Sequence, residues 1–468
     1  MIRTTRLNRP AGFFPTREEF GSLVRLALPV VVVQVGLMMM GVVDTIMVGR
    51  VSPQAIGSVA LGNLYFFTVA VIGMGTLMAL DPLVSQSVGA GDEVGVARGL
   101  QRGILLAAGL TVPACLLLLL IHPFLKATGQ PAELIPGATQ FAQLMIPGML
   151  PFYLFIVFRQ TLQALGRLAP IVWVTIGANL VNAVLDWVLI YGHAGAPALG
   201  VAGSAIATSI SRWILALALL FAGWPELEPR LRPWRPESFD PGALSRMLRL
   251  GLPIGAQMWL EYGVFALVGA LMGRIGTLAV AAHQIALNLS SIVFMVPLGV
   301  GAAAAVLVGQ AIGAADLPRA RRAAVGPLLV GGGFMVCVAT VFMVVPGLLA
   351  RLYTPDQGVL RIATRLIVLG GAFAIFDGLQ AVCMGILRGI GDTRVPVVLC
   401  ILGYWLIGLP ASLLLGFRLG QGPTGLWWGL VLGLAATAGV LLLRVHSRLR
   451  RTLARILIDH PVGNPGEA

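Results

Sequence analysis

Twelve long apolar runs divide this chain, and they constrain its fold more than any other feature of the sequence. Runs of about 20 residues are long enough to cross a hydrocarbon core of about 30 Å as helices. A chain that is 57% hydrophobic and 11% charged would also expose large apolar patches in water. We therefore predict an all-α integral membrane protein with twelve spans at roughly 23–48, 58–84, 100–121, 134–160, 170–191, 200–223, 250–273, 280–310, 323–347, 358–386, 396–416 and 425–444.

The two halves of the chain repeat each other at an offset of 224 residues. QSVGAGD at 86–92 matches QAIGAAD at 310–316, which shared apolar composition alone does not explain. Six spans per unit is an even number, so both units enter the membrane in the same direction. This indicates a parallel repeat about an axis along the membrane normal, an architecture of transporters. The predicted segments are an N-terminal segment 1–22, a bundle 23–223, a linker 224–249, a second bundle 250–444 and a tail 445–468.

Basic residues predict the orientation. Of the 32 Lys and Arg residues, 24 fall on the side that holds both termini, seven on the other side, and Arg212 lies inside a span. Because basic residues stay on the cytoplasmic side, both termini are predicted to be cytoplasmic. The net charge of +13 thus reflects topology, and we expect no nucleic-acid partner. The basic tail is predicted to lie as a helix on an anionic membrane surface.

Signatures of enzymes and cofactor sites are missing from the sequence. It has no GxxxxGK[ST] phosphate loop, no GxSxG and no HExxH. The four cysteines fall within or beside apolar runs and show no metal-ligand spacing. We expect neither an enzyme nor a cofactor.

Five carboxylates lie inside the predicted spans: Asp44, Asp81, Asp186, Glu261 and Asp377. Glu261 is near the centre of the seventh span, where a charge costs roughly 2.5–3.5 kcal/mol. Such a group persists where it faces a polar cavity or a partner, so each acid is a candidate proton or cation carrier. Asp81 is the weakest candidate, because the Asp-Pro pair can start or break a helix. Asp186 has an equally good structural interpretation.

Two interpretations stay open for each of three features of the sequence. Glu261 itself could be a neutral, hydrogen-bonded acid that only packs helices. Pro29 either kinks the first helix or lies in its first turn, where proline is tolerated. Tyr262, Trp259 and Phe265 surround Glu261 in sequence and could line an apolar substrate pocket or simply pack against other helices.

Several motifs together resemble the multidrug and toxic compound extrusion (MATE) transporters, most closely their bacterial NorM-like branch. They are ALPVVVVQVGLMMMGVVDTIMVGR in the first span, DPLVSQSVGAGD after the second, and AAHQIALNLSSIVFMVPLGVGAAAAVLVGQAIGAAD and LRGIGDTRVP in the second half. The resemblance covers nearly the whole chain. It implies a V-shaped pair of six-helix bundles that exports organic cations in exchange for sodium ions or protons.

In the first half, the resemblance assigns roles to five residues. The acid of the family's first helix falls on Asp44, a candidate for cation or proton coupling. The polar cluster of helices five and six, a substrate or second proton site, falls on Asn182, Asp186 and Thr208. The proline proposed to kink the first helix during turnover falls on Pro29.

In the second half, the family's cation site falls on Glu261 and Asp377, where a sodium ion is one candidate ligand. Tyr262, beside Glu261, is a further candidate for substrate contact. The position four residues before Asp377 is a tyrosine in some relatives but Phe373 here. The missing hydroxyl leaves the identity of the coupling ion, Na⁺ or H⁺, open.

These observations predict a secondary antiporter of the bacterial inner membrane, working as a monomer among membrane lipids on small cationic or amphipathic organic substrates. One rival is a flippase for lipid-linked precursors, which would favour basic residues lining the cavity to hold pyrophosphate. The intramembrane charges are mostly acidic, with Arg212 as the clearest exception. A membrane enzyme or scaffold is the other rival, and the lack of catalytic signatures disfavours it.

Overall fold

A computed structural model describes residues 15–459, and in this range it consists of helices and their connections. Residues 1–14 of the predicted N-terminal segment and 460–468 of the predicted tail lie outside the described residues. The twelve spanning helices are α1 Arg17–Gly49, α2 Pro53–Gly89, α3 Glu93–Leu119, α4 Ile135–Ala164, α5 Ala169–Tyr191, α6 Val201–Ala222, α7 Pro241–Ile275, α8 Thr277–Gly313, α9 Leu317–Val344, α10 Gln357–Ile390, α11 Arg394–Arg418 and α12 Gly422–Arg450. The predicted all-α fold of twelve membrane-spanning helices is confirmed.

Helix ends and breaks account for most differences from the predicted bounds. The predicted seventh span starts near 250, whereas α7 starts at Pro241, because the Asp240 carboxylate accepts hydrogen bonds from the first N–H groups of the helix. Three helices are irregular, with a break in α2 at residues 78–79, a 3₁₀ turn in α4 at Ile146–Gly148 and π-helical turns in α11 at Ile401–Gly408 and Leu414–Arg418. Short helices lie between the spans at Ile121–Ala127, Trp224–Leu231, Pro236–Phe239 and Pro346–Arg351.

The break in α2 explains Asp81. It lies in the first turn of the segment Leu80–Gly89, as expected of an Asp-Pro pair that restarts a helix. Its Oδ2 lies 4.0 Å from Nε of Arg388 at the end of α10. Asp81 therefore has a cationic partner in the other bundle, which fits a structural role.

The repeated QxxGA motifs contact each other where the two bundles meet. We call the face that carries residues 224–240 and 451–459 the linker side, and the opposite face the far side. On the linker side, Gln86 Nε2 donates to the carbonyl of Gly389 over 2.9 Å, and Gln310 Nε2 donates to the carbonyl of Ala164 over 2.9 Å. Each glutamine thus bonds to the opposite bundle at an equivalent place.

Glycine is required at this contact. A Cβ at Gly89 would collide with the backbone carbonyl of Gln310, and a Cβ at Gly313 would collide with that of Gln86. In a membrane, helices associate through such close backbone approach more than through apolar burial, because lipid tails are as apolar as the side chains. The motif therefore lets the bundles close tightly on the linker side.

Pro29 lies in the interior of α1, well beyond its first turn, so the first-turn alternative is wrong. The proline supplies no N–H to the helix ladder. Two residues later, Val31 packs so closely against α8 that a Cβ at Gly299 would overlap it. The weakened part of α1 therefore lies beside the contact between bundles.

The prediction of a helical tail on the membrane surface is wrong for residues 451–459. Helix α12 ends at Arg450, and the chain continues without helix across the linker side. Arg455 Nη2 donates to Asp92 Oδ2 over 2.5 Å, and the N–H of Ile456 donates to Gln86 Oε1 over 2.8 Å. Asp459 pairs with Arg98 and Arg102 of α3. Specific ion pairs with the first bundle replace the non-specific membrane contact that the composition suggested.

We expect the docking of the tail to depend on pH only at acidic pH. Burial alone would raise the pKa of Asp92, but the hydrogen bond from Arg455 holds that pKa below its usual 3.8. Burial likewise raises the pKa of Asp459, but Arg102 and Arg98 together hold that pKa below its usual 3.8. Docking is therefore fully favoured above the ordinary Asp pKa and is lost as the pH falls through the lower values of the docked state.

We expect a spin label at Leu457→Cys, in a Cys337→Ser background, to stay immobile from about pH 8 to pH 5 and to become mobile below about pH 4. Arg455→Gln should mobilise the label at neutral pH. Arg451→Gln is the matched control, because Arg451 is exposed and forms no ion pair within residues 15–459. Release between pH 8 and pH 6 would contradict the assignment to these carboxylates.

Candidate functional site

Glu261 is the centre of a polar cluster inside the second bundle. Its Oε1 accepts hydrogen bonds from Gln380 Nε2 at 2.7 Å and from the Tyr404 hydroxyl at 3.3 Å. Its Oε2 faces Gln257 Nε2, one turn earlier on α7, at 3.4 Å. Gln257, Gln380 and Tyr404 are all buried. Three polar side chains from α7, α10 and α11 therefore converge on one carboxyl group.

Tyr404 supplies a phenol that the sequence analysis missed. Phe373 is buried and packs edge-on against Phe265 at 5.9 Å and Trp427 at 5.8 Å, so it contributes only an apolar ring. Tyr404 instead approaches Glu261 from the π-helical stretch of α11, and its hydroxyl also lies 2.9 Å from Gln380 Oε1. Its single hydroxyl hydrogen serves one acceptor at a time, so the cluster has two hydrogen-bonding arrangements.

Asp377 lies on α10 in the same region and is 7% exposed. It is close enough to Glu261 for electrostatic repulsion between the two carboxylates. Two ionised carboxylates in a site of low dielectric repel strongly unless a cation or a proton lies between or on them. The structure thus brings together the two predicted acids of the second half.

The predicted polar residues of the first half also converge. Asp44 on α1 is 7% exposed, and its Oδ2 lies 3.0 Å from Thr208 Oγ1 on α6. Asp186 and Asn182 on α5 lie beside Asp44 and are fully buried. Tyr191 fixes α5 against α1, because its hydroxyl donates to the Met47 carbonyl over 2.7 Å. Four side chains from three helices therefore form the first-bundle cluster.

This first-bundle cluster has unused hydrogen-bonding capacity. Within residues 15–459, Asp44 Oδ1, both carboxylate oxygens of Asp186 and both amide atoms of Asn182 are buried without a hydrogen-bond partner. Each such group costs about 1–3 kcal/mol when it is left unpaired. A shared proton on the two acids, or a bound cation, would satisfy several of these atoms together. The cluster is therefore built to receive a positive charge.

Tyr262 lies apart from both clusters. It lines a cavity of about 260 Å³ between the bundles, together with Trp259 on α7 and Tyr65, Thr68 and Phe124 of the first bundle. This cavity lies farther from the linker side than the contact between the bundles, and most of its lining is apolar. Tyr262 is therefore placed to contact an amphipathic molecule in this cavity, and its position does not suit a role in carrying protons.

None of Asp44, Asp186, Glu261 and Asp377 forms a salt bridge with any residue in 15–459. Asp81, by contrast, forms a salt bridge with Arg388. The four unpaired acids are thus the places where an ion, a proton or a cationic substrate would supply the missing positive charge.

Two of the residues that the sequence analysis missed, Gln257 and Gln380, can be recognised from their helical spacing. Gln257 lies four residues before Glu261, and Gln380 lies three residues after Asp377, so each amide shares a helix face with an acid. A polar side chain at this spacing inside an apolar span points to the same site. Tyr404 has no such neighbour on α11, and only the fold brings it to Glu261.

Comparison with known proteins places the chain in a family. The MatE family model matches residues 29–188 and 253–414, one match in each bundle. The chain is 37% identical over 455 residues to a probable multidrug resistance protein NorM of Rhizobium meliloti, covering 93% of this chain and 95% of that protein. It is 34% identical over 460 residues to the multidrug resistance protein NorM of Burkholderia vietnamiensis, covering 96% and 98%.

Solved structures agree on the fold. The eukaryotic MATE transporter AtDTX14 superposes with a TM-score of 0.86 at 23% identity, covering 92% of this chain and 98% of that one. The Vibrio cholerae MATE transporter VcmN in its bent form gives 0.80 at 19% identity, covering 92% and 97%. With the family matches to both bundles, these comparisons show that the chain belongs to the multidrug and toxic compound extrusion family and is a multidrug efflux transporter, not an enzyme.

Proposed function

We propose that this transporter is a monomeric antiporter of the bacterial inner membrane that exports organic cations in exchange for protons, with both termini in the cytoplasm. The observation that carries the proposal is Glu261, an acid without a salt bridge that is held by Gln257, Gln380 and Tyr404 inside the second bundle. The excess of basic residues on the linker side supports the orientation.

The surroundings of Glu261 favour a proton over a sodium ion. Two amide nitrogens and a hydroxyl donate hydrogen bonds to the Glu261 carboxylate, so these groups would have to turn their oxygens toward a sodium ion before they could serve as its ligands. Phe373 adds no oxygen. A protonated Glu261 can instead donate to Tyr404, which then donates to Gln380 Oε1, so the cluster accommodates the proton without losing hydrogen bonds.

The contacts between the bundles support alternating access as the transport mechanism. The linker side is closed by the two glutamine contacts and the close packing at Gly89 and Gly313, while a cavity lies farther toward the far side. In the proposed orientation, this arrangement is the state that faces outward. Protonation of Glu261 and Asp377 from outside, and binding of substrate from inside, shift the equilibrium only through their different affinities for the two states.

The acidic lining disfavours transport of lipid-linked pyrophosphates. Asp44, Asp186, Glu261 and Asp377 would repel an anionic group, and within residues 15–459 Arg212 is the one basic side chain whose charge acts on Asp44. Small organic cations are therefore the substrate class that the site supports best.

Proteoliposomes with independently imposed gradients test the proposal. Vesicles contain DNA, so that entering ethidium becomes fluorescent, and valinomycin with equal potassium clamps the potential. We expect ethidium uptake when the lumen is acidic and the sodium concentrations are equal, and none when only a sodium gradient is present. Glu133→Gln, a change at an exposed acid outside both clusters, should transport normally.

The two parts of the proposal fail in different ways. Uptake driven by sodium alone would overturn proton coupling while leaving antiport in place. Lack of uptake under either gradient, by protein that retains its melting transition, would overturn antiport.

A further inference from the structure

Arg212 is a buried cation in the first bundle that the proposed mechanism does not use. It lies near the middle of α6 and is 8% exposed. Its guanidinium carbon lies 4.1 Å from the ring centroid of Phe66 on α2 and 5.0 Å from that of Phe152 on α4. Two aromatic faces therefore hold the guanidinium in place through cation–π contact.

The position of Arg212 connects it to the acids of the first-bundle cluster. Thr208, which is bonded to Asp44, lies one turn earlier on the same helix. Asp44 feels the charge of Arg212, but the two side chains form no salt bridge. Within residues 15–459, Arg212 Nη1 and Asp44 Oδ1 are both buried without a hydrogen-bond partner. The two opposite charges act on each other and stay unpaired.

The titratable groups determine the net charge of Arg212 together with the first-bundle cluster. Asp44 and Asp186 carry two negative charges when both are ionised, and Arg212 cancels one of them. Tyr153 on α4 is the other titratable side chain that faces Arg212, and its hydroxyl is 3.2 Å from the Ala70 carbonyl, to which it donates. With both acids ionised, Arg212 and the first-bundle cluster together therefore carry a net charge of minus one, which one monovalent cation neutralises.

We propose that Arg212 is a specificity-determining residue that sets the first-bundle cluster to accept a single positive charge, so that monocations are bound in preference to dications of the same shape. The inference rests on the proposed export of organic cations and adds the charge of the substrate to it. The aromatic rings matter because they keep the guanidinium from swinging onto Asp44 and closing the site.

Ethidium and propidium provide matched probes, because they share a chromophore and propidium carries a second, quaternary ammonium charge. Binding to the purified full-length protein is measured by fluorescence anisotropy for the unchanged protein and for Arg212→Gln and Arg212→Lys. We expect Arg212→Gln to shift the ratio of propidium to ethidium affinity about tenfold toward propidium, which corresponds to about 1.4 kcal/mol. Arg212→Lys keeps the charge and should leave the ratio near its original value.

The ratio separates specificity from folding. A purely structural role of Arg212 would lower both affinities or the melting temperature together and leave the ratio unchanged in Arg212→Gln, which would overturn the proposal. Asp44→Asn provides the check on the underlying function. If Asp44→Asn alters ethidium binding while Arg212→Gln leaves the affinity ratio unchanged, only the role of Arg212 is contradicted. If Asp44→Asn changes the affinity of neither dye, substrate binding at this cluster is contradicted.

Discussion

Glu261→Gln is expected to reduce gradient-driven ethidium efflux to the background of cells without the transporter. The glutamine side chain has the size of glutamic acid, and its Oε1 still accepts from Gln380 Nε2, so the cluster keeps its packing. What disappears is the ability to gain and lose a proton. The melting temperature should stay unchanged, because an amide at this position leaves no buried charge to stabilise.

Efflux is measured in cells at matched expression, with Glu133→Gln as the exposed control. Glu261→Asp keeps the ionisable group but retracts it by one methylene from Gln380 and Tyr404. We therefore expect partial efflux with a shifted pH profile. Full efflux by Glu261→Gln would contradict a coupling role and leave only packing, the structural alternative for this residue.

Asp44→Asn is expected to abolish efflux as well, with a different effect on binding. The change removes one of two negative charges that face a bound cation, so ethidium affinity should fall about tenfold or more. Thr208 can still donate to the amide oxygen. Because Asp44 Oδ1 is buried without a partner in the described chain, an uncharged group should leave the melting temperature unchanged or raise it.

Asp356→Asn is the matched control for Asp44→Asn. Asp356 caps α10 through a 2.7 Å hydrogen bond from the N–H of Val359, and asparagine caps helices equally well. Efflux and dye affinity should both stay at their original values. If Asp44→Asn retained dye affinity but lost efflux, the cluster would carry only the proton, and the substrate would bind elsewhere, for example in the cavity beside Tyr262.

The sequence predicted the fold better than the contacts. Length and hydropathy determine a membrane helix, so all twelve spans were predictable. Helix ends such as Pro241 depend on capping and were not predicted. The repeat at an offset of 224 predicted the two bundles. It did not predict that the repeated motif would contact its own copy, because a periodic sequence gives no distance between its units.

The acids of the candidate site were predictable for a physical reason. A carboxylate in an apolar span is costly, so Asp44, Asp186, Glu261 and Asp377 are conspicuous in the sequence. Their hydrogen-bond partners are less conspicuous, because Gln257 and Gln380 are recognised only by their helical spacing from an acid and Tyr404 reaches Glu261 only through the fold. The tail was misjudged because its basic and apolar residues suit a membrane surface as well as they suit Asp92 and Gln86 of the first bundle.

The contact between the two QxxGA motifs is isologous, as in a symmetric dimer. Gln86 reaches the backbone of the opposite bundle as Gln310 reaches that of the first, so one surface meets its own copy across a two-fold axis. The chain therefore has the form of a dimer whose subunits have been fused. In a dimer, substituting one residue alters the contact twice, whereas here each copy of the motif can change alone. The strength of closure on the linker side can therefore be changed through one copy of the motif without changing the other copy.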